Sequence, residues 1–349
     1  MKKVLPIAEP IVNYIPLTNN VTAIINTNWD KYGDCVYKKF IQMANYGNHR
    51  FMFDDHNVTL DVYDCFRPFA IPKFMCPDKK DIRELLIDLI DRGYYVDTGV
   101  QTYYLKPYST YKKSRFQHSM LIYGVSTDDN TMNCADFFKE DYSFETCDID
   151  EVVDAIYYHS PSEHGGTMPY YNNILGYKLM EDYGSHYYSD NTNKILNALH
   201  SLIRENSTVY KSGAEIYPRF GISLFDGVIS RIEDDLNLKD TLMDAEDIVL
   251  SGYYLYKMNF HFFYEHISLM KKRMIYLLGD NNKHLKKYLP MYDELCQTML
   301  SCRNIVLRAS IKEAEFTPAN KVRIINELKR VKEQYVLLIN ILIDYLETL

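Results

Sequence analysis

The sequence predicts an α+β protein, with a mixed sheet-and-helix domain over residues 1–190 and an α-helical domain over 191–349. Three observations predict it. Alternating and short apolar runs bounded by turn residues fall before residue 140; a Gly-, Pro-, Ser- and Asn-rich stretch with little periodicity fills 158–192; and from about 193 onward apolar residues recur at i, i+3, i+4 spacing. With 349 residues, 47% of them hydrophobic and 25% charged, the chain is long enough for two domains and ordinary enough in composition to bury a core.

The elements follow in order. Residues 33–46 (GDCVYKKFIQMANY) read as a first helix, with Val36, Phe40, Ile41 and Met43 at helical spacing and Cys35 near its start. Residues 79–92 form an amphipathic helix that stops at Gly93. GYYVDTGVQTYYL then reads as a strand, and SMLIYGV, the turn TDDNT and TMNCADFF as a hairpin. A helix over 148–157 has Asp148 as its N-cap candidate. The 158–192 stretch reads as a linker or covering loop. Beyond it, helices are expected at KILNALHSLIREN, at ISLFDGVISRIEDDL, along 241–278, over 288–312 and after Pro318, with Thr317 as a cap. Long helices with short links suggest an antiparallel bundle.

Composition limits the function classes. A formal net charge of −8 disfavours a nucleic-acid binder. No stretch approaches ~20 uninterrupted apolar residues, so no membrane span is expected. The seven cysteines form no CxxC pair, and Pro6, Glu9, Pro10 and Asn13 interrupt any export signal, so a reducing, cytoplasmic location is expected. The 32 tyrosines fit either codon bias or an aromatic-lined groove. Neither the His159, Glu163, His164 group nor His49 and His56 flanking Asp54 and Asp55 has a recognised ligand spacing, so no metal is expected. His261 and His266 read as satisfied core or groove histidines. No phosphate-binding glycine loop occurs, so no bound nucleotide cofactor is expected.

Cysteine-based acyl transfer needs a thiol, an imidazole to ionise it and a group to orient the imidazole. His118 begins one strand of the expected hairpin and Asp136 lies on the other, so the pair can meet on one face. The alternative is a strand-start histidine and a turn aspartate with no joint role. Cys35 at a helix N-terminus would be favoured as a thiolate and flanked by oxyanion-binding N–H groups; otherwise it is a small apolar helix residue. Cys65 and Cys134 are weaker competitors.

Residues 22–138 resemble the papain-fold, bacteriocin-processing-peptidase-like proteins of natural-product clusters, of which the butirosin acyltransferase N-terminal family is one branch. Cys35 is one feature carrying the resemblance. The others are Val96-Asp97, Tyr104, Pro107-Tyr108, His118, Leu121-Ile122-Tyr123-Gly124 and Ala135-Asp136-Phe137. The sequence departs from the pattern at Val36, and it lacks a glutamine shortly before Cys35, leaving Asn28 as the nearest amide for an oxyanion hole. Trp29 is expected to pack beside the site.

The resemblance implies a papain-like domain with Cys35, His118 and Asp136 as a triad. It implies an acyl group taken from the phosphopantetheine arm of an acyl or peptidyl carrier protein and passed to a small amine. One of the basic clusters, such as Lys271-Lys272-Arg273, could dock the carrier, although solvated helix faces explain those clusters too. A homodimer through the long C-terminal helices is compatible with the sequence. Two rivals share the layout: a peptidase or amidase that uses water, and an inactive papain fold that binds a peptide or carrier.

Overall fold

The computed structural model of the chain describes residues 1–45, 51–53, 64–139, 141–159, 172–184, 191–204, 209–212, 215–218, 220–233, 241–243, 249–279, 282–311 and 316–348. Contacts divide the chain into two units. The first is Met1–Cys35 with Asn57–His186, and the second is Val36–His56 with Tyr187–Leu349. The expected division near 190 therefore comes with an excursion, because residues 36–56 belong to the second unit.

The first unit is built on a seven-stranded sheet. Its strands are β1 (Lys2–Val4), β4 (Phe66–Pro72), β5 (Tyr95–Gln101), β6 (Gln117–Ser126), β7 (Thr131–Asp136), β8 (Ser143–Asp148) and β9 (Asn173–Leu179). The order is β4-β9-β5-β6-β7-β8, every pairing is antiparallel, and β1 joins β6 beyond the end of β5. The expected hairpin is β6–β7, with a register irregularity between Ile122 and Gly124. Strand β9 corrects the reading of 158–192 as loop: NILGYKL pairs with both β4 and β5. Strand β4 carries Pro68 and Pro72 and sits at the sheet edge, where a missing N–H costs least. Gly176 of β9 faces Phe69, and a Cβ there would fall 2.2 Å from the Phe69 ring, so the aromatic lies flat on glycine backbone.

Three helices pack on this sheet, and a fourth follows in the chain. Helix α3 (Lys79–Asp91) starts where the Asp78 carboxylate accepts from the Asp81 N–H, and it stops before Gly93 at φ +83°. Helix α4 (Ile149–Tyr157) is capped by Asp148, which accepts from Asp150 and Glu151 N–H. Helix α1 (Pro16–Ile25) is unexpected; Thr18 through Ile25 are all buried, and it packs on β6 and β7. A single 3₁₀ turn, Asn26–Asn28, leads into α2 (Trp29–Lys38).

Helix α2 corrects the expected helix over 33–46. It begins four residues earlier, ends at Lys38, and Met43–Asn45 is a strand, β2, paired with β3 (Phe51–Phe53). Phe40, at φ +57°, turns the chain. Cys35 is thus the seventh residue of a ten-residue helix rather than its opening residue.

The second unit is mainly helical: α5 (Asn191–Ile203), α6 (Leu224–Glu233), α7 (Gly252–Leu278), α8 (Lys283–Ile311) and α9 (Pro318–Leu346). Thr317 caps α9 by accepting from Asn320 N–H, with Pro318 first in the helix. The hairpin β12–β13 (Thr241–Met243, Val249–Ser251) replaces the start of the helix expected along 241–278, and a second hairpin, β10–β11 (Val209–Ser212, Glu215–Pro218), lies between two expected helices. No helix among the described residues is long and apolar enough to cross a membrane.

Its core includes Phe40, Phe53, Phe225, Phe260, Phe262, Phe263, Tyr292 and Tyr335. Two polar side chains hold the 36–45 segment in that core. Arg273, fully buried, donates to the carbonyls of Tyr37 (2.7 Å), Lys39 (2.7 Å) and Phe40 (3.5 Å). His266 donates from Nε2 to the Ile41 carbonyl at 2.7 Å and accepts at Nδ1 from the Tyr335 hydroxyl at 2.6 Å, which fixes it as a neutral core histidine.

Burial lowers the pKa of His266 to about 3. The unfolded chain therefore binds a proton here that the folded chain refuses. Stability from this group is complete above about 6.5 and is lost as pH falls from there toward 3. His266→Gln keeps one donor and one acceptor without a titrating ring. The expected result is a flatter acid limb in urea midpoints measured between pH 3 and 7; an unchanged slope refutes the assignment.

Candidate active site

The end of the sheet at which β5 finishes and β6 begins carries the chemistry. His118 pairs with Val100 of β5, and extending the β6–β7 register places Met120 opposite Asp136. Antiparallel partners share a face, so His118 and Asp136 project together. His118 Nδ1 lies 2.5 Å from Asp136 Oδ2. Since the acceptor is a carboxylate oxygen, Nδ1 carries the proton and Nε2 presents a lone pair.

Asp136 is wholly buried. The Tyr108 hydroxyl donates to the same Oδ2, and the Phe137 N–H donates to Oδ1 at 2.7 Å. Three donors thus fix the carboxylate, and it in turn fixes the imidazole. The His118 side chain is about one-fifth exposed (21%), enough to meet a solvent-borne group. Tyr108 appears in the resemblance motif without a role; its contact with Asp136 requires the loop fold and is invisible in spacing.

Cys35 does not join this pair. Its Sγ donates to the Tyr183 hydroxyl at 2.9 Å, which itself donates to Asp34 Oδ1 at 2.8 Å. It also lies against Cys65, whose thiol is pushed well up, first by burial and then by Cys35. Met180 ties this cluster to the far end of β9, because its N–H donates to Cys65 O and its carbonyl accepts from the Tyr32 hydroxyl. Thr98 pairs with Ile174, so His118 stands level with residue 172. Leu179 is seven residues further along, roughly 23 Å at ~3.3 Å per residue. The expected triad is therefore split: His118 and Asp136 meet, while Cys35 sits at the opposite end of the sheet.

Its helix position also differs from the expected one. Cys35 lies in the second half of α2, away from the free N–H groups of the helix start. Asn28 ends the 3₁₀ turn before α2, about 10 Å from Cys35 along the helix axis, so it does not flank the thiol either. Trp29 packs on Gly33, on the Cys35 side rather than beside His118.

Asp97 and Ser119 project from the other face, which α1 covers. The fully buried Asp97 carboxyl accepts from Ser119 Oγ at 2.5 Å and from Asn20 Nδ2 at 2.9 Å. Asn20 Oδ1 takes the Tyr142 hydroxyl at 2.7 Å. Burial outweighs these donors and raises the Asp97 pKa to about 6, with the Asp136 charge adding to the rise.

A carboxyl raised in the folded state contributes stability below about 4 that is lost as pH climbs through 6. Asp97→Asn keeps an acceptor for Asn20 and offers Ser119 an N–H. It is expected to stabilise the protein by about 2 kcal/mol at pH 7 and by little at pH 4. Thermal melts at both pH values check this, and equal shifts would refute it.

Two further groups share the His118 end. Lys73, in the turn after β4, donates from Nζ to Gly99 O at 2.7 Å and lies 3.3 Å from His159 Nδ1. Around them stand exposed apolar side chains. Phe74 and Met75 follow Lys73, Tyr157 and Tyr158 precede His159, and the Phe116 ring centre is 5.8 Å from that of His118. His49, Asp54, Asp55, His56, Glu163 and His164 lie outside the described residues; no metal-binding group occurs among the described ones.

Compared with known proteins, the chain matches no protein-family model and no curated protein. Of the residues quoted for the resemblance, His118 and Asp136 come together as a hydrogen-bonded pair.

Proposed function

We propose that the protein is an acyltransferase that forms amides, with His118 as general base acting on the acceptor amine. The observation that carries this is the His118–Asp136 contact. A buried, triply hydrogen-bonded carboxylate holds Nδ1–H and turns Nε2 outward. A base so held removes a proton as the amine attacks a thioester carbonyl. The thiolate leaves, and the acyl group passes directly to nitrogen without an acyl-enzyme on Cys35, whose thiol sits at the other end of the sheet.

The exposed aromatic rim supports an apolar acyl group and favours transfer over hydrolysis by limiting water at the reacting carbon. The donor fits a thioester on the phosphopantetheine arm of a carrier protein, and no resident cofactor enters the reaction. Small thioesters of varied acyl length, mixed with a primary amine and followed by mass spectrometry, test the reading. Amide formed by wild type and lost in His118→Ala is the expected result. No enzyme-dependent amide would favour a papain-like binding protein, and an acyl adduct on Cys35 would restore the covalent route.

A further inference from the structure

Lys73 has an unusual pair of partners, a backbone carbonyl and an imidazole nitrogen. Its Nζ reaches the carbonyl of Gly99, which β9 leaves unpaired because that strand meets β5 only as far as Thr98. Its second partner is an imidazole nitrogen, His159 Nδ1. No carboxylate pairs with it among the described residues, and unlike Lys3, Lys31, Lys113 and Lys178, which also reach carbonyls, it adds the imidazole contact.

The count of hydrogens follows from this. An ammonium has three N–H bonds, one more than the two acceptors that the described residues give it. A neutral amine has two, one for Gly99 O and one for His159 Nδ1, and keeps its lone pair unopposed. Burial acts in the same direction, lowering the Lys73 pKa to about 7. His159 is held neutral by burial and by the nearby Lys73, its pKa lowered to about 3, and its Nδ1 accepts from Lys73 in the tautomer that carries the proton on Nε2.

We propose that Lys73 is a nucleophilic lysine that forms a reversible imine with an apolar aldehyde or ketone at the His118 end of the sheet. The lone pair of Nζ forms the C–N bond, and the carbonyl oxygen takes up a proton to give a carbinolamine. That oxygen then leaves as water, both of its hydrogens having come from the amine, and a C=N bond remains. A thioester at the same nitrogen would give a permanent amide and consume the group, so a reusable site fits an aldehyde or ketone. Phe74 and Met75, which follow Lys73 in the chain, and Tyr157 and Tyr158, which precede His159, are exposed and suit an apolar substituent on the carbonyl carbon. The proposal does not depend on acyl transfer by His118.

The test is reductive trapping of the full chain with hexanal and cyanoborohydride at low conversion, followed by peptide mapping. At pH 7, Lys73 should be labelled at least tenfold faster than exposed Lys80. Its rate should level off above pH 8. Labelling of Lys73 no faster than Lys80 at pH 7, or a Lys73 rate that keeps climbing well beyond pH 8, overturns the proposal. Because both lysines are read in the wild-type protein, no variant needs to fold for the result to count.

Discussion

Amide formation is expected to fall about a thousandfold in His118→Ala, within the 10²–10⁴ range of a positioned general base. The loss should appear in kcat, since the proton is removed only in the transition state. Asp136→Asn is expected to cost about a hundredfold: an amide at Oδ2 can turn its N–H toward Nδ1 and reverse the tautomer that leaves Nε2 basic. Tyr108→Phe removes one of three donors to that carboxylate and should cost less, about fivefold. Cys35→Ala should stay within twofold of wild type, because its thiol contacts Tyr183 and Cys65 at the other end of the sheet. Steady-state rates for the four variants check the series. A Cys35→Ala variant as dead as His118→Ala would overturn the direct mechanism.

Arg273→Met is expected to destabilise the protein by about 4 kcal/mol. The guanidinium is fully buried and donates to three carbonyls at and just beyond the end of α2. A helix end leaves such carbonyls without intrahelical partners, and each unsatisfied buried group costs about 1–3 kcal/mol. The positive charge also faces the negative end of the helix dipole. Methionine fills much of the volume, so the measured loss reports hydrogen bonding and charge more than cavity. Arg273→Lys keeps the charge but not the planar fork, and should recover only part of the stability. Urea denaturation gives both values; a cost below 1 kcal/mol for the methionine variant would refute this role.

What the sequence disclosed depended on how local each cause was. Helices α3, α4 and α9 were legible because the caps Asp78, Asp148 and Thr317 and the stop at Gly93 act within one turn. The β6–β7 hairpin was legible from its turn, and with it the meeting of His118 and Asp136. Helix α1 was hidden because Thr18, Asn19, Asn20, Val21 and Thr22 have modest helix propensity. Tertiary bonds override that, as in Asn20 to Asp97 and Tyr142. With α1 unseen, α2 was given a false start at Cys35, and the proposed nucleophile was carried to the wrong end of a helix. Strand β9 lacked alternation because its Gly176 accommodates a ring from β4. Lys73 left only a faint trace, a single cation inside AIPKFM.

The passage of α2 from one unit to the other, between Cys35 and Val36, sets a timetable during synthesis. The 36–56 segment leaves the ribosome early, yet Arg273 and His266, which grip its backbone, follow more than 200 residues later. At about 5–20 residues per second, that interval is roughly 10–45 s. Meanwhile Phe40, Phe51 and Phe53, all buried in the finished protein, have no core to enter. A nascent chain stalled before residue 252 should therefore bind chaperones through this aromatic hairpin and lose them once α7 emerges.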